Sequence, residues 1–217
     1  MIASEVVARA HRAEGLPLLV WRFAQPLTVA STAPAGGGIG RRRWMINAQV
    51  PPGYCRRDPE RHVSELAAEL GLSGPGVGML TAVDVASVVR VVDAGVSVEA
   101  TVGVAHPVWA AAPEPIEAAP RAGTINVVAF VPAALSEAAL LNALCTITEA
   151  KSQALMLAGI EGTGTASDAV TVVCPSRGPA EAFGGPRSRW GGPLASAVCA
   201  AVRSGCGGPP VPGRAQP

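Results

Sequence analysis

The order of the secondary-structure signals along the chain constrains its fold most strongly. Short valine-rich runs separated by turn residues fill the first half, and the runs 88–92 and 96–104 are joined by Asp93-Ala94-Gly95. β-Branched residues bounded by turn residues predict strands, and such a short turn predicts an antiparallel hairpin. The chain also contains 25 Gly and 20 Pro, which argues against a helical bundle. The first half is therefore predicted to form a mostly antiparallel sheet.

Three segments carry helix signals. A short helix is predicted near residues 59–70 and another near 194–203, and the longest covers about 137–158. Ser136 is placed to cap the start of the long helix, and Gly159 follows its end. We predict an α+β fold, with a mixed α/β arrangement left open, in which the long helix and shorter helices cover the sheet.

The length and composition favour one folded domain. A chain of 217 residues fits one ordinary hydrophobic core. Hydrophobic residues make up 49% and charged residues 15%, a balance that argues against wholesale disorder. We predict a single domain over residues 1–204 and a disordered Gly/Pro-rich tail over 205–217.

Charge and composition exclude several classes of function. A net charge of +1 and an aromatic content of 4% argue against nucleic-acid binding. No apolar run approaches the roughly 18–20 residues of a membrane span. Five cysteines without Cys-x-x-Cys spacing, and three histidines without ligand spacing, predict neither a disulfide framework nor a metal site. Charged residues occupy the segment where a signal peptide would be apolar, so a cytoplasmic location is expected.

Lys151 is the most distinctive residue of the chain. The sequence has 17 basic residues, and Lys151 is its single lysine. At 100° per residue it falls about 20° from Leu140, in the middle of the apolar stripe of the long helix. A lysine there must extend along the helix to solvent, pair with a buried carboxylate or lose its proton more easily. Lys151 is therefore a candidate catalytic residue, with chance survival of one lysine as the alternative.

The loop Gly162-Thr163-Gly164-Thr165-Ala166-Ser167-Asp168 is a second candidate. It offers three hydroxyls, a carboxylate and glycines that let backbone N–H groups approach a bound group. Such a loop suits an oxyanion hole or an anchored nucleophile, and it matches neither nucleotide-binding glycine pattern. An ordinary Gly/Thr-rich connection between a helix and a strand is the alternative.

Two further titratable residues are weaker candidates. Glu149 lies about 160° from Lys151 around the long helix, where a solvated face is the alternative. His106 follows a predicted strand and precedes Pro107, a position where functional groups are often displayed. A structural loop histidine is the alternative there.

Several fragments in colinear order, over roughly residues 27–202, resemble the adenosylcobinamide amidohydrolase (CbiZ) family. They are Ser31-Thr32-Ala33-Pro34, Gly36-Gly37-Gly38, Asn47-Ala48-Gln49-Val50, Gly78-Met79-Leu80-Thr81-Ala82, Ala100-Thr101-Val102-Gly103, Gly123-Thr124-Ile125-Asn126, Thr148-Glu149-Ala150-Lys151, the Gly162 to Asp168 loop and Gly184-Gly185-Pro186. Two positions depart from the family pattern. Ser167 stands where the family usually has Thr, and Ala166 stands where Gly is expected and could stiffen the loop.

The resemblance implies a reaction and a substrate. It implies hydrolysis of the amide that joins aminopropanol to the corrin ring, giving adenosylcobyric acid in corrinoid salvage. It implies a corrinoid as substrate. It does not firmly imply any cofactor, and it does not tell whether a metal is required. A non-catalytic corrinoid-binding protein and an amide hydrolase with another substrate remain alternatives. A homo-oligomer is left open.

The resemblance also leads to hypothetical roles for individual residues. Lys151 would be the base or acid, Glu149 would orient or protonate, and the nucleophile would be a hydroxyl of Thr165 or Ser167 or a water held by Asp168. Covalent and direct water attack are both left open. The remaining candidates would contact the substrate, and they are Gly37, Gly38, Asn47, His106, Asn126, Thr163 and Gly164. The glycine loops at 36–40 and 184–192 would shape a broad cleft, and Trp190 would pack on the ring or lie on the surface.

Overall fold

A computed structural model describes residues 5–7, 15–111 and 123–208. Its strands are β1 (Glu5–Val7), β2 (Leu18–Ser31), β3 (Gly38–Gln49), β4 (Gly76–Thr81), β5 (Val89–Asp93), β6 (Val96–Val102), β7 (Ile125–Phe130) and β8 (Ala169–Cys174). Its helices are α1 (Pro59–Glu69), α2 (Glu137–Leu157) and α3 (Gly191–Gly205), with a 3₁₀ turn at Val85–Ser87. The predicted α+β class is confirmed.

The strands join into one sheet in the order β4-β3-β2-β8-β7-β6-β5, and β1 pairs with the start of β2. The pairs β3/β4 and β7/β8 are parallel, and the other described pairs are antiparallel. The two short runs predicted at 18–23 and 27–30 form one long strand with a register shift between Arg22 and Leu27. On the other side of β2, its first part pairs with β1 and its last part with β8.

The sheet curls until its two halves face each other. Asn47 on β3 donates a hydrogen bond of 3.0 Å to Thr101 on β6, although three strands separate β3 from β6 in the sheet. Trp21 on β2 likewise donates to the buried Glu99 on β6, at 3.2 Å. Apolar side chains from both halves fill the space between them, among them Leu19, Met45, Met79, Val128 and Val173. The concave face of the sheet is therefore a core.

The helices cover the outer face of the curled sheet. α2 and α3 pack together against β5–β8, and α1 packs against β2–β4. Strand β8 is buried along its whole length, because Val170 and Val172 face the helices while Ala169 and Val173 face the inner core. As predicted, the Ser136 side chain caps α2, accepting a hydrogen bond of 3.1 Å from the Ala139 amide.

The chain ends differ from their predictions in extent. Helix α3 runs from Gly191 to Gly205, so it is longer than the predicted 194–203. Its last residue, Gly205, is the first of the predicted tail and packs closely on the Val102 side chain, where an added Cβ would be 2.5 Å from a methyl carbon. Residues 209–217 of the predicted tail lie outside the described residues. None of the described helices has the length and apolarity needed to cross a bilayer.

The β5–β6 hairpin offers a test of backbone strain. Ala94 has φ +43° and is the only non-glycine residue with positive φ in the described ranges, and Gly95 beside it has φ +87°. A left-handed conformation costs an L-residue roughly 1–2 kcal/mol. We therefore expect Ala94→Gly to raise the free energy of unfolding, measured by urea denaturation, by about 0.5–1 kcal/mol. The β-branched variant Ala94→Val should lower it, and a stabilising effect of Ala94→Val would contradict the argument.

Candidate active site

Lys151 and Asp168 form a buried ion pair at the centre of the candidate site. Lys151 projects from the buried face of α2, is 6% exposed, and its Nζ contacts Oδ2 of Asp168. The Asp168 side chain is 9% exposed and follows the Gly/Thr loop, directly before β8. Of the three outcomes open to a lysine in the apolar stripe, the structure therefore shows pairing with a buried carboxylate.

Asp168 is held by hydrogen bonds on both of its oxygens. Oδ1 accepts from the Thr165 hydroxyl at 2.5 Å and from the Ile125 amide at 2.9 Å. Oδ2 accepts from the Thr165 amide at 3.0 Å and from Lys151. Each oxygen thus accepts from two donors, which fixes the plane of the carboxylate. The Thr165 hydroxyl, the Asp168 carboxylate and the Lys151 amine therefore form one continuous chain of contacts.

The Gly/Thr loop fits closely around this pair. A Cβ at Gly164 would lie 2.4 Å from Lys151 Nζ and 2.5 Å from Asp168 Oδ2, so only glycine leaves room for the ion pair. The loop is anchored to the segment after β6, because the Val108 amide donates to Gly164 O at 2.8 Å and the Thr163 amide donates to Val108 O at 2.9 Å. The Thr163 hydroxyl accepts from the Ala110 amide at 3.0 Å. Thr163 thus helps to anchor the loop.

An open cleft with a volume of about 270 Å³ lies beside the loop. Its polar end is formed by Gly123, Thr124 and Ser167, and the hydroxyls of Thr124 and Ser167 lie 2.7 Å apart. Thr165 lies behind this wall, since a Cβ at Gly123 would be 3.7 Å from the Thr165 methyl carbon. The rest of the lining is Pro34, Val50, Pro51, Pro52, Tyr54, Arg56, Pro59, Leu80, Thr81, Ala82, Asn126 and Ala169.

Asn47 and Asn126 brace the strands around the cleft. The Asn126 amide donates to Asn47 Oδ1 at 2.9 Å and to Leu80 O at 3.1 Å, and its Oδ1 accepts from the Ala169 amide at 3.2 Å. Asn126 forms part of the cleft wall, but both of its donors are used inside the protein. Asn47 is 1% exposed and does not line the cleft. The structure thus buries Asn47 between the two halves of the sheet, because the curl encloses it.

Glu149 and His106 are not brought to the ion pair. Glu149 is exposed on the other side of α2 from Lys151, because two residues of helix turn the side chain by about 200°. His106 is exposed in the connection after β6. Across the described ranges, no group of three or more His, Cys, Asp and Glu side chains is placed to bind a metal ion.

The predicted glycine loops have packing roles. A Cβ at Gly37 would lie 2.5 Å from Ala33 O, and Gly38 adopts φ +81° in the same turn, while Pro34 of that turn reaches the cleft. Gly184 packs against α2, where an added Cβ would lie 2.1 Å from Ala139 O.

Trp190 also lies away from the cleft lining. Its indole N–H donates to Glu181 at 3.3 Å, and the guanidinium of Arg189 lies 5.1 Å from its ring centroid. Trp190, for which packing on the ring and a surface position were both left open, thus contacts residues of the loop after β8.

Sequence reasoning missed the segment 50–57, which builds the other wall of the cleft. It carries Pro51, Pro52, Tyr54 and Arg56, and no recognised motif marks it. Arg56 in this segment binds Asp58, and these hydrogen bonds lower the pKa of the Asp58 carboxyl to about 2. Asp58 stands at the N-cap position of α1, but its side chain is bonded to Arg56 and makes no capping hydrogen bond.

Comparisons with known proteins agree on one family. Residues 3–208 match the family model of adenosylcobinamide amidohydrolase (CbiZ). A protein of Methanosarcina mazei named adenosylcobinamide amidohydrolase is 32% identical over 178 residues, which cover 78% of this chain and 85% of the relative. A protein of the same name from Halobacterium salinarum is 30% identical over 177 residues, covering 77% of this chain and 75% of the relative.

Proposed function

Because this chain belongs to the adenosylcobinamide amidohydrolase family, it is a hydrolase of amide bonds, and we propose that Thr165, Asp168 and Lys151 form its catalytic centre. One observation carries the proposal: the contact chain from the Thr165 hydroxyl through Asp168 to Lys151. A hydroxyl bonded to a carboxylate that is itself oriented by a third group is the arrangement of an activated nucleophile. Thr165 of this unit lies next to Gly123, which lines the polar end of the cleft.

The proposed reaction follows from this geometry. Thr165 Oγ1 attacks the amide carbon, and its proton passes to Asp168 Oδ1, 2.5 Å away. Lys151 stays on Oδ2 and supplies positive charge against the oxyanion that forms, an interaction strengthened by the buried setting. The amine leaves with a proton, and water then hydrolyses the acyl ester to release the acid and restore the Thr165 hydroxyl.

The cleft also suits the proposed substrate, adenosylcobinamide. A corrin is a broad, mostly apolar ring fringed with amides, and one side of the cleft is an apolar wall that includes Pro34, Pro51 and Pro52. Apolar walls with a few placed polar groups are typical of small-molecule sites. We place the ring against the proline wall and the amide near Thr124 and Ser167, whose hydroxyls form the polar end of the cleft next to Thr165.

Ser167 is a second candidate nucleophile, because the residue is exposed and lines the cleft whereas Thr165 is buried next to it. Its described partners are the Thr124 hydroxyl and Gly123 O, at 2.7 and 3.3 Å, and neither is a base. Thr165 is therefore the preferred nucleophile.

Variants at Thr165 and Ser167 separate the two candidates. We expect Thr165→Ala to lower kcat by at least about 10⁴-fold, because it removes the attacking oxygen, and Thr165→Ser, which keeps the hydroxyl, to stay within about tenfold of wild type. Ser167→Ala, the matched control, should change kcat by less than about tenfold. The reverse order, with Ser167→Ala the more damaging, would assign the nucleophile to Ser167.

The reaction itself is tested by mixing the purified protein with adenosylcobinamide and following release of aminopropanol, with and without prior chelation. Release by the wild type, lost in Thr165→Ala, supports the proposed centre. Tight binding without release would favour a non-catalytic corrinoid-binding protein. Turnover of unrelated amides alone would favour a different substrate.

We also propose a reducing, cytoplasmic setting for the enzyme. The support is that Cys55, Cys145, Cys174, Cys199 and Cys206 are all free thiols. Proteins of oxidising compartments more often pair their cysteines in disulfides.

A further inference from the structure

The proposed reaction needs an acid for the departing amine, and the cleft wall offers few. Among the described residues that line the cleft, only Tyr54 and Arg56 have titratable side chains. Arg56 is held by Asp58 and Glu65, and a guanidinium does not give up its proton in proteins. Tyr54 is the single tyrosine of the chain.

Tyr54 is fixed by contacts to its backbone, ring and hydroxyl. Its amide donates to Pro51 O at 2.9 Å, which closes a turn in the segment between β3 and α1. Its ring stacks on that of His62 with the centroids 5.4 Å apart and an interplanar angle of 23°. Its hydroxyl lies 2.9 Å from Nδ1 of His62, which is 7% exposed on the buried side of α1. The position of the phenol oxygen is thus fixed by the buried His62 side chain on α1.

We propose that Tyr54 is the general acid that protonates the departing amine and that Nδ1 of His62 orients and supports it. The inference rests on the amide hydrolysis proposed above. With the proton of His62 on Nδ1, the imidazole donates to the phenol oxygen and leaves the phenol proton free to point into the cleft. Burial raises the pKa of Tyr54, so the phenol carries its proton at neutral pH.

The proton transfers balance over one turnover. In the first half, Thr165 Oγ1 bonds to the carbonyl carbon and its proton passes to Asp168, while the C–N bond breaks and the amine takes the phenol proton of Tyr54. In the second half, water bonds to the same carbon and gives a proton to the phenolate, while Asp168 returns its proton to Thr165. The sum is amide plus water giving carboxylic acid plus amine, with every protein group restored.

Leaving-group chemistry tests the proposal. Wild type, Tyr54→Phe and Thr165→Ala are each assayed on adenosylcobinamide and on the p-nitrophenyl ester of adenosylcobyric acid, whose leaving group needs no proton. We expect Tyr54→Phe to lower kcat on the amide by about 100-fold with KM little changed, and to stay within about fivefold of wild type on the ester. Thr165→Ala should lose turnover on both substrates.

The matched control is Pro52→Ala, which alters the same cleft wall without removing an acid and should affect both substrates equally. Urea denaturation of each variant checks folding. Equal losses of Tyr54→Phe on amide and ester, or no loss on the amide, would overturn the role of Tyr54 while leaving the amide hydrolysis intact. Absence of turnover by the wild type on both substrates would overturn the proposed function and this inference together.

Discussion

Lys151→Met should lose at least about 10⁴-fold in turnover of adenosylcobinamide, because it removes the charge that orients Asp168 and opposes the oxyanion. Lys151→Arg should lose a similar amount, since a guanidinium is too wide for the space beside Gly164 and has different geometry. Turnover is measured as aminopropanol release. Wild-type turnover by either variant would remove Lys151 from the catalytic centre.

Lys151→Met should also lower stability. Measuring both effects separates the catalytic role of the Lys151–Asp168 pair from its role in folding. Removing one partner of a buried ion pair leaves the other charge uncompensated and costs about 3–5 kcal/mol. We expect that loss for Lys151→Met in urea denaturation followed by tryptophan fluorescence, and a smaller loss for Lys151→Met with Asp168→Asn. The double variant should remain inactive, so recovered stability without activity separates catalysis from folding. Recovery of activity together with stability would contradict a catalytic role.

Gly164→Ala should be nearly as damaging, although it adds one methyl group to a loop. The added Cβ would lie 2.4 Å from Lys151 Nζ and 2.5 Å from Asp168 Oδ2, so the pair must separate or the loop must move. We expect a loss of about 1000-fold in kcat and about 1–3 kcal/mol in stability, since small displacements of reacting groups and overpacking are both costly.

Ala166→Gly is the matched control for Gly164→Ala. Ala166 lies in the same loop, is exposed and does not adopt positive φ. Although the family pattern has glycine at this position, the alanine side chain therefore causes no backbone strain. Its change should leave kcat within about threefold of wild type and stability within about 1 kcal/mol. A large gain in activity from Ala166→Gly would show that the alanine limits the loop, contrary to this expectation.

Local patterns predicted the helices and the burial of Lys151 because these depend on residues a few positions apart. The 3.6-residue period placed Lys151 among Leu140 and Ile147, and the structure buries it there. The loop composition drew attention to Asp168, but its pairing with Lys151 required the loop to fold back against α2. The sequence therefore identified Lys151 and Asp168 as candidates, but it did not predict that they contact each other.

The curl of the sheet could not be predicted from local patterns. The family resemblance led to Asn47 and Asn126 as substrate contacts, yet the curl joins them to each other and joins Asn47 to Thr101. Tyr54 was missed because its segment has neither a periodic pattern nor a motif, and its place in the cleft depends on His62 of the following helix. Both outcomes are set by tertiary contacts rather than propensity.

The position of β2 between β3 and β8 has a consequence for how the chain folds. Ser31 pairs with Thr171, 140 residues later, so the centre of the sheet closes only after most of the polypeptide has been made. Contacts of such long sequence separation slow folding. Until β8 arrives, β2 and β7 both present unpaired edges, which are templates for intermolecular association. Chains ending before residue 169 should therefore aggregate during expression rather than accumulate as folded monomers.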